Sequence, residues 1–276
     1  RINFARGFKE GHNMEEKKGK RWNACWPDET DLTALKSLAH TFLYLEIQPT
    51  KMSPLVVKHP FTDSGITAIR DENNSIQPAD LLNNQQALDC WRGQMAQNIQ
   101  EAESSNQLFY MVTKSYRLAF LKYAAGYLSE RDAASALNFV WTTSEAPNSD
   151  PNLSRRELLA LFRSVSPSLL MDKEELQVYE ELPDLVTVYR GVTPYNAKMV
   201  KGLSWTLDRD TAEWFAHRYR SHGQVYQAQI EKAHIHAIFL GRNEAEVIVD
   251  PHYLTNLAQA HMTDQEQDSG QTMQML

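Results

Sequence analysis

Cysteine is scarce: the 276 residues hold two, Cys25 and Cys90, far apart and with no Cys or His nearby at ligand spacing. That excludes a disulfide framework and a zinc finger or ribbon. Long apolar runs are missing as well, and no stretch reaches the roughly 18 residues that mark a membrane-crossing helix. Nor is there an excess of positive charge. The formal net charge is -7, whereas proteins that grip a nucleic-acid backbone usually carry a basic surface. A basic protein partner, or a nucleotide held in a local pocket, stays open. Internal repeats are absent too. The chain begins at Arg1 rather than methionine, so a trimmed start with a targeting segment removed is one expectation.

What is present is an ordinary globular composition, 42% hydrophobic, 23% charged and 10% aromatic, enough for one large domain or two smaller ones. Residues 1–28 are charged and irregular, with Trp22 and Trp26 as the large anchors. From Asp31 the pattern turns helical: Leu35, Leu38, Ala39 and Phe42 fall on one face, and Leu88, Trp91, Met95 and Ile99 mark a longer helix. The stretch from Leu108 to Leu128 is apolar nearly all round and predicts one central buried helix. Ser129 with Asp132 caps another, through Trp141. The Ser-, Asn-, Asp- and Pro-rich segment SEAPNSDPN, 144–152, is the expected boundary. Ser154 and Glu157 then open a helix to about Val165, and a further helix is predicted from Pro167 to Leu182, ended by Pro183.

Beyond Pro183 the period changes. LVTVYRG, QVYQAQI, HIHAIFL and EVIV are β-branched or aromatic and strand-like. One helix lies between them, carrying Ala212, Phe215, Ala216 and Tyr219 on one face, with Asp210 and Glu213 as its expected capping box. The expectation is therefore α+β: an all-helical region over 1–150, a strand-bearing core over 151–255, and a loosely ordered tail over 256–276.

Three short stretches of the second half carry chemistry. In VYRGV, Arg190 ends a strand and Gly191 follows; a guanidinium forks onto phosphate, and a glycine admits close backbone approach. In GLSWTLDRD, Ser204 and Thr206 share one face of a short strand. In GRNEAEVIVDP, Glu244 and Glu246 are expected on one strand face about 7 Å apart, with Ala245, Val247 and Val249 facing the core.

In that order the three stretches resemble the arginine-directed mono-ADP-ribosyltransferases of the cholera-toxin-like class, whose motifs are an arginine at a strand end, a Ser-Thr-Ser strand and a Glu-x-Glu strand. The resemblance spans roughly residues 154–253. It implies a mixed or antiparallel β core of that family's fold. The N-terminal helical region carries no chemistry of its own; it reads as scaffold completing the core, with target recognition or a lid over NAD as its functional readings, and scaffold with recognition is preferred. NAD would be the co-substrate and no metal would be needed. The partner would be a target protein with an accessible arginine. Such enzymes are often toxins, effectors or phage proteins, soluble and secreted or delivered into the cytosol of another cell.

By the same resemblance Arg190 would hold the NAD phosphates, and Gly191 would offer its backbone to the nicotinamide amide. Ser204 would position Glu246, with Thr206 beside it in the NAD pocket. Glu246 would accept from the nicotinamide-ribose hydroxyl, Glu244 would receive the acceptor arginine, and Leu240 to Asn243 would touch the target. Two departures stand out: Ser-Trp-Thr replaces Ser-Thr-Ser, and the gap from Arg190 to Ser204 is short.

The residue types suit that chemistry independently. Nicotinamide is already cationic in NAD and leaves as a neutral amine without a general acid, unlike the leaving oxygen of an ordinary glycoside. The developing ribosyl cation needs a fixed anion. An acceptor guanidinium, with a pKa above ~12, needs a second carboxylate to orient it and ease off a proton.

Taken singly, each feature has a plainer meaning. Glu-x-Glu is the pattern of the wet face of an edge strand. Arg190 suits an ordinary ion pair, Trp205 a core position, and Trp214 and Phe215 helix packing. His234 and His236 suit polar strand positions rather than a metal pair, and Asp208 and Asp210 suit turn and cap roles. Two other functions stay open: an NAD glycohydrolase, in which water takes the ribosyl group, and a catalytically inactive binding module.

Overall fold

The computed structural model describes residues 26–53, 55–71, 73–218, 222–241 and 244–260. The irregular start with Trp22 and Cys25, Tyr219 of the predicted helix face, Arg242 and Asn243 of the predicted target turn, and residues 261–276 lie outside these.

Two compact units divide between Leu170 and Met171, not at residue 150. The segment 144–152 is a loop inside the first unit, because the chain beyond it packs back onto what precedes it. Trp141 meets Phe162 edge-on at 5.1 Å. The Asn138 amide donates to the Leu170 carbonyl at 2.9 Å, and the Trp26 indole donates to the Ser164 carbonyl at 2.6 Å.

In the first unit, α1 (Leu32–Leu43) begins where the Asp31 carboxylate accepts from the Ala34 N–H. Asn84 caps α2 (Gln85–Glu101) in the same way. The single helix expected over 108–128 is two, α3 (Ser105–Met111) and α4 (Lys114–Ala124), followed by a 3-10 turn at Ala125–Tyr127. Val112 and Thr113 between them are extended. Thr113 turns its N–H to the Pro60 carbonyl at 2.8 Å and its hydroxyl to the His59 carbonyl at 3.1 Å. Ser129 caps α5 (Glu130–Thr143), the Ser154–Glu157 box opens α6 (Arg155–Ser164), and α7 is Pro167–Leu170.

The first 150 residues are not all helical. Strands β1 (Gln48–Pro49), β2 (Val56–His59) and β3 (Thr62–Ser64) form a small antiparallel sheet, and β4 (Ile66–Arg70) pairs with β5 (Ile76–Asp80). Most β4 and β5 side chains are exposed or half-buried, so they lack the apolar alternation that announces a strand.

The second unit starts with α8 (Lys173–Glu181), capped by an Asp172–Glu175 box; the helix expected over 167–182 is interrupted at Met171–Asp172. Then follow β6 (Leu185–Val192), β7 (Ser204–Thr206), α9 (Arg209–His217), β8 (Gln224–Glu231), β9 (Ile235–Phe239), β10 (Glu246–Val249) and β11 (Thr255–Gln259). They build one antiparallel sheet in the order β11-β8-β6-β7-β10-β9. Residues 255–259, all but the first expected in a loose tail, are thus an edge strand; their mostly polar composition hid it. The architecture is α+β with antiparallel sheets.

Val186, Val188, Trp205, Ala228, Val247 and Val249 pack into one core. The helix α9 packs through Ala212 and Ala216 with Val225. Gly191 and Gly223 let it approach: a Cβ on either would stand 2.2 Å from a helix carbonyl oxygen, of Ala212 and Ala216 respectively. The β6–β8 ladder runs from Leu185 to Val192, whereas β6 and β7 meet at one pair only, Tyr189 opposite Thr206.

Candidate functional site

Beyond the Tyr189–Thr206 pair, β6 and β7 part, and the side of β7 that faces β6 has no ladder partner, while its other side stays paired with β10. A carbonyl left there needs another donor, and Arg190 supplies it: its Nη1 donates to the Ser204 carbonyl. The guanidinium lies over Gly202, where an added Cβ would meet Nη2 at 2.8 Å and Cζ at 2.9 Å. So two of the three sequence stretches are joined side chain to backbone, where the sheet opens. Gly202 was not picked out from sequence, since a single glycine before a strand carries no signal of a guanidinium above it.

The third stretch adjoins the same strand. Glu246 opens β10 directly across from Thr206, with Ile248 across from Ser204. Paired residues of an antiparallel ladder share a face, so Glu246 and the side chains of Ser204 and Thr206 lie on one side of the sheet. Glu246 is 8% exposed on a strand flanked by β7 and β9. It is not on the wet face of an edge strand. Carboxylates are rarely buried this far without function or compensation.

Glu244 departs from the expectation. Ala245 has φ 40°, in the left-handed region that residues with a Cβ mostly avoid. The strand therefore begins at Glu246, not Glu244, and alternation no longer places both carboxylates on one face. Glu244 is half-buried, and its carbonyl accepts from the Thr206 hydroxyl at 2.7 Å. That same hydroxyl accepts from the Asp208 N–H at 3.1 Å. Thr206, assigned by resemblance to NAD, has its one donor committed to the protein instead. Gly191, too, has a structural reason to be glycine in the close approach of α9, beside any contact to a ligand.

Asp208 rather than Asp210 caps α9: its carboxylate takes the N–H groups of Asp210 and Thr211 and the Thr211 hydroxyl. These bonds hold its pKa below the usual carboxylate range, the Thr211 hydroxyl leading. Trp205 is core, as expected, but Trp214 is 61% exposed. It falls off the Ala212–Phe215–Ala216 face that meets the sheet. His234 stacks on Tyr253 at 3.4 Å, a packing role for one of the two histidines.

One carboxylate that sequence reading missed is Glu175, 8% exposed. Its Oε2 accepts from the Asp172 N–H at 3.0 Å, closing the helix box, and its Oε1 accepts from the Leu240 N–H at 3.0 Å. The Asp172-x-x-Glu175 spacing was a visible capping signal; its reach to Leu240, where the chain leaves β9, was not. Among the described residues no group of three or more His, Cys, Asp or Glu is placed to hold a metal ion.

Comparison with protein-family profiles, curated proteins and solved structures finds no match to this chain.

Proposed function

We propose that the second unit is an NAD-dependent protein-arginine mono-ADP-ribosyltransferase. The observation that carries this reading is the convergence on β7. Arg190 from β6 grips its Ser204 carbonyl, and buried Glu246 of β10 stands opposite its Thr206. Arg190, Ser204, Thr206 and Glu246 lie on neighbouring strands of one sheet, which supports the reading, while Glu244 lies just before its strand.

The residues fit NAD as substrate in charge and in kind. A guanidinium fixed on the backbone of a neighbouring strand suits a diphosphate, although β6 runs two residues past Arg190 rather than ending at it. A buried carboxylate opposite the Ser-Trp-Thr strand suits the ribose hydroxyl and the cation developing at the ribose anomeric carbon. In the reaction, the bond from that carbon to the nicotinamide nitrogen breaks, and its electron pair leaves with nicotinamide. A guanidine nitrogen of the acceptor forms the new bond and gives up one proton, to Glu244 or to water. Glu246 stabilises the cation and Glu244 orients the guanidinium. A host-cell target and delivery as a toxin or effector belong to the same reading.

Incubating the protein with labelled NAD and lysate, with and without Glu246→Gln, tests it. The parent transfers label to protein arginines; the variant, which keeps shape and loses charge, falls about 10²–10³-fold in turnover. Nicotinamide release with no labelled protein would instead identify a glycohydrolase. No NAD turnover in the parent would end the enzymatic reading.

A further inference from the structure

We infer that Thr206 is a positioning residue for Glu244: its hydroxyl holds the Glu244 carbonyl and so maintains the left-handed turn at Ala245 by which the chain enters β10. The consequence for catalysis rests on the transferase reading above; the restraint itself rests on geometry alone.

Thr206 is 5% exposed, and the last β7–β10 pair sets it opposite Glu246. Past that pair the ladder stops, yet β7 keeps hold of the chain. Thr206 Oγ1 donates to the Glu244 carbonyl at 2.7 Å. The next residue, Leu207, donates its N–H to the Ala245 carbonyl at 3.1 Å. The hydroxyl is itself oriented by the Asp208 N–H, 3.1 Å away, at the cap of α9. Two successive carbonyls are thus held by the end of one strand.

What they hold is an unfavourable backbone. Ala245, at φ 40°, has neither the freedom of glycine nor the polar side chain that lets Asn or Asp enter the left-handed region. Such a residue persists where its surroundings over-determine it. With an extended Ala245, strand alternation alone would put Glu244 beside Glu246. With the left-handed one, the placement of Glu244 depends on the grip at its carbonyl. Glu246 is anchored separately, through the ladder to Thr206 and Phe239. Loss of the Thr206 hydroxyl therefore falls first on the carboxylate that handles the acceptor, and only second on the one that serves NAD.

Thr206→Val, similar in shape and without a donor, and Thr206→Ser, which keeps it, make the test. Turnover is measured with NAD and a small alkylguanidine as acceptor, and NAD hydrolysis without acceptor. Thr206→Val should lower kcat for transfer at least about tenfold more than it lowers hydrolysis, with KM for NAD within about threefold of the parent. Thr206→Ser should restore the ratio. Equal losses in the two reactions, an unaltered ratio, or a serine variant as impaired as valine would overturn the inference.

Hydrogen exchange at the Leu207 amide is read without substrate. It should be about tenfold faster in Thr206→Val and recover in Thr206→Ser; an unchanged rate would overturn the restraint. Ala245→Gly supplies the final arm, since glycine adopts positive φ freely. In that background the drop in melting temperature caused by Thr206→Val should shrink, and an undiminished drop would disconnect the hydroxyl from the turn. Failure of the parent to cleave NAD would sink the transferase reading while leaving the exchange and melting arms to decide the restraint.

Discussion

At the scale of single residues, placement in this site comes from unremarkable neighbours. Arg190 is legible in sequence as a strand arginine, though β6 runs on past it to Val192; the room for its guanidinium at the Ser204 carbonyl comes from a bare glycine beneath it. A Cβ on Gly202 would come within 2.8–3.1 Å of three guanidinium atoms. The guanidinium is the far end of a flexible chain, so it moves rather than the backbone. Gly202→Ala should therefore displace Arg190 from the Ser204 carbonyl with little effect on the fold. If Arg190 binds the NAD phosphates, calorimetry should find affinity weakened about tenfold, near the value of one charge-assisted hydrogen bond. Melting should shift by no more than about 2 °C. Affinity equal to the parent's would detach the guanidinium's position from NAD binding. Residues of this kind escape sequence reading because their role is an empty volume. Ala245 escapes for a related reason: left-handed backbone is anticipated at Gly or Asn, and an alanine between two glutamates reads as strand.

At the scale of elements, two glycines with opposite consequences make the packing testable. Gly191 sits under α9, and a methyl group there would meet backbone at 2.2 Å and 2.6 Å, the Ala212 oxygen and the Ala216 nitrogen. Helix backbone cannot rotate aside as a side chain does. Gly191→Ala should cost about 1–3 kcal/mol by overpacking. Gly93 lies within α2, and a Cβ there would meet nothing within 4 Å. Gly93→Ala should stabilise by about 0.5–1 kcal/mol through helix propensity. Urea denaturation of both variants checks the signs; a neutral Gly191→Ala would mean that α9 does not press on β6.

The elements themselves were unevenly legible. Capped helices read well, because Asp31, Ser129 and the Ser154–Glu157 pair announce themselves by local hydrogen-bonding chemistry. Strands β6, β8, β9 and β10 read well from β-branched and aromatic composition. The break at Val112–Thr113 did not, since its cause is a bond from Thr113 to Pro60, distant in sequence. Strands β4, β5 and β11 were hidden by exposed side chains, and the cap of α9 is Asp208, the expected turn residue, rather than Asp210.

At the scale of the whole molecule, acidity should act through the first unit by way of His59. This ring is 1% exposed and ties elements together. Its Nδ1 accepts from the Phe61 N–H at 3.1 Å, which leaves Nε2 as the donor to the Leu43 carbonyl at 3.2 Å, at the end of α1. Trp91 of α2 packs edge-on at 5.5 Å. Burial pushes the ring's pKa down to about 4, with the Arg92 charge adding to the fall and the Leu43 and Leu45 carbonyls opposing it. Protonation would also put a second donor against the Phe61 N–H. The unfolded chain takes up a proton near pH 6.5 and the folded one only near 4, so the unfolded state binds more protons throughout that interval. The stability is fully present above pH 6.5 and falls as pH drops toward 4. The slope approaches ~1.4 kcal/mol per pH unit, and about 2 kcal/mol is lost by pH 5. Denaturation of the parent at pH 7.5 and 5.0, beside His59→Gln, measures this contribution. The glutamine variant should be less stable at pH 7.5 yet lose about 2 kcal/mol less on acidification. Parallel losses in the two proteins would show that the acid sensitivity lies elsewhere and that the ring is not held neutral by its burial.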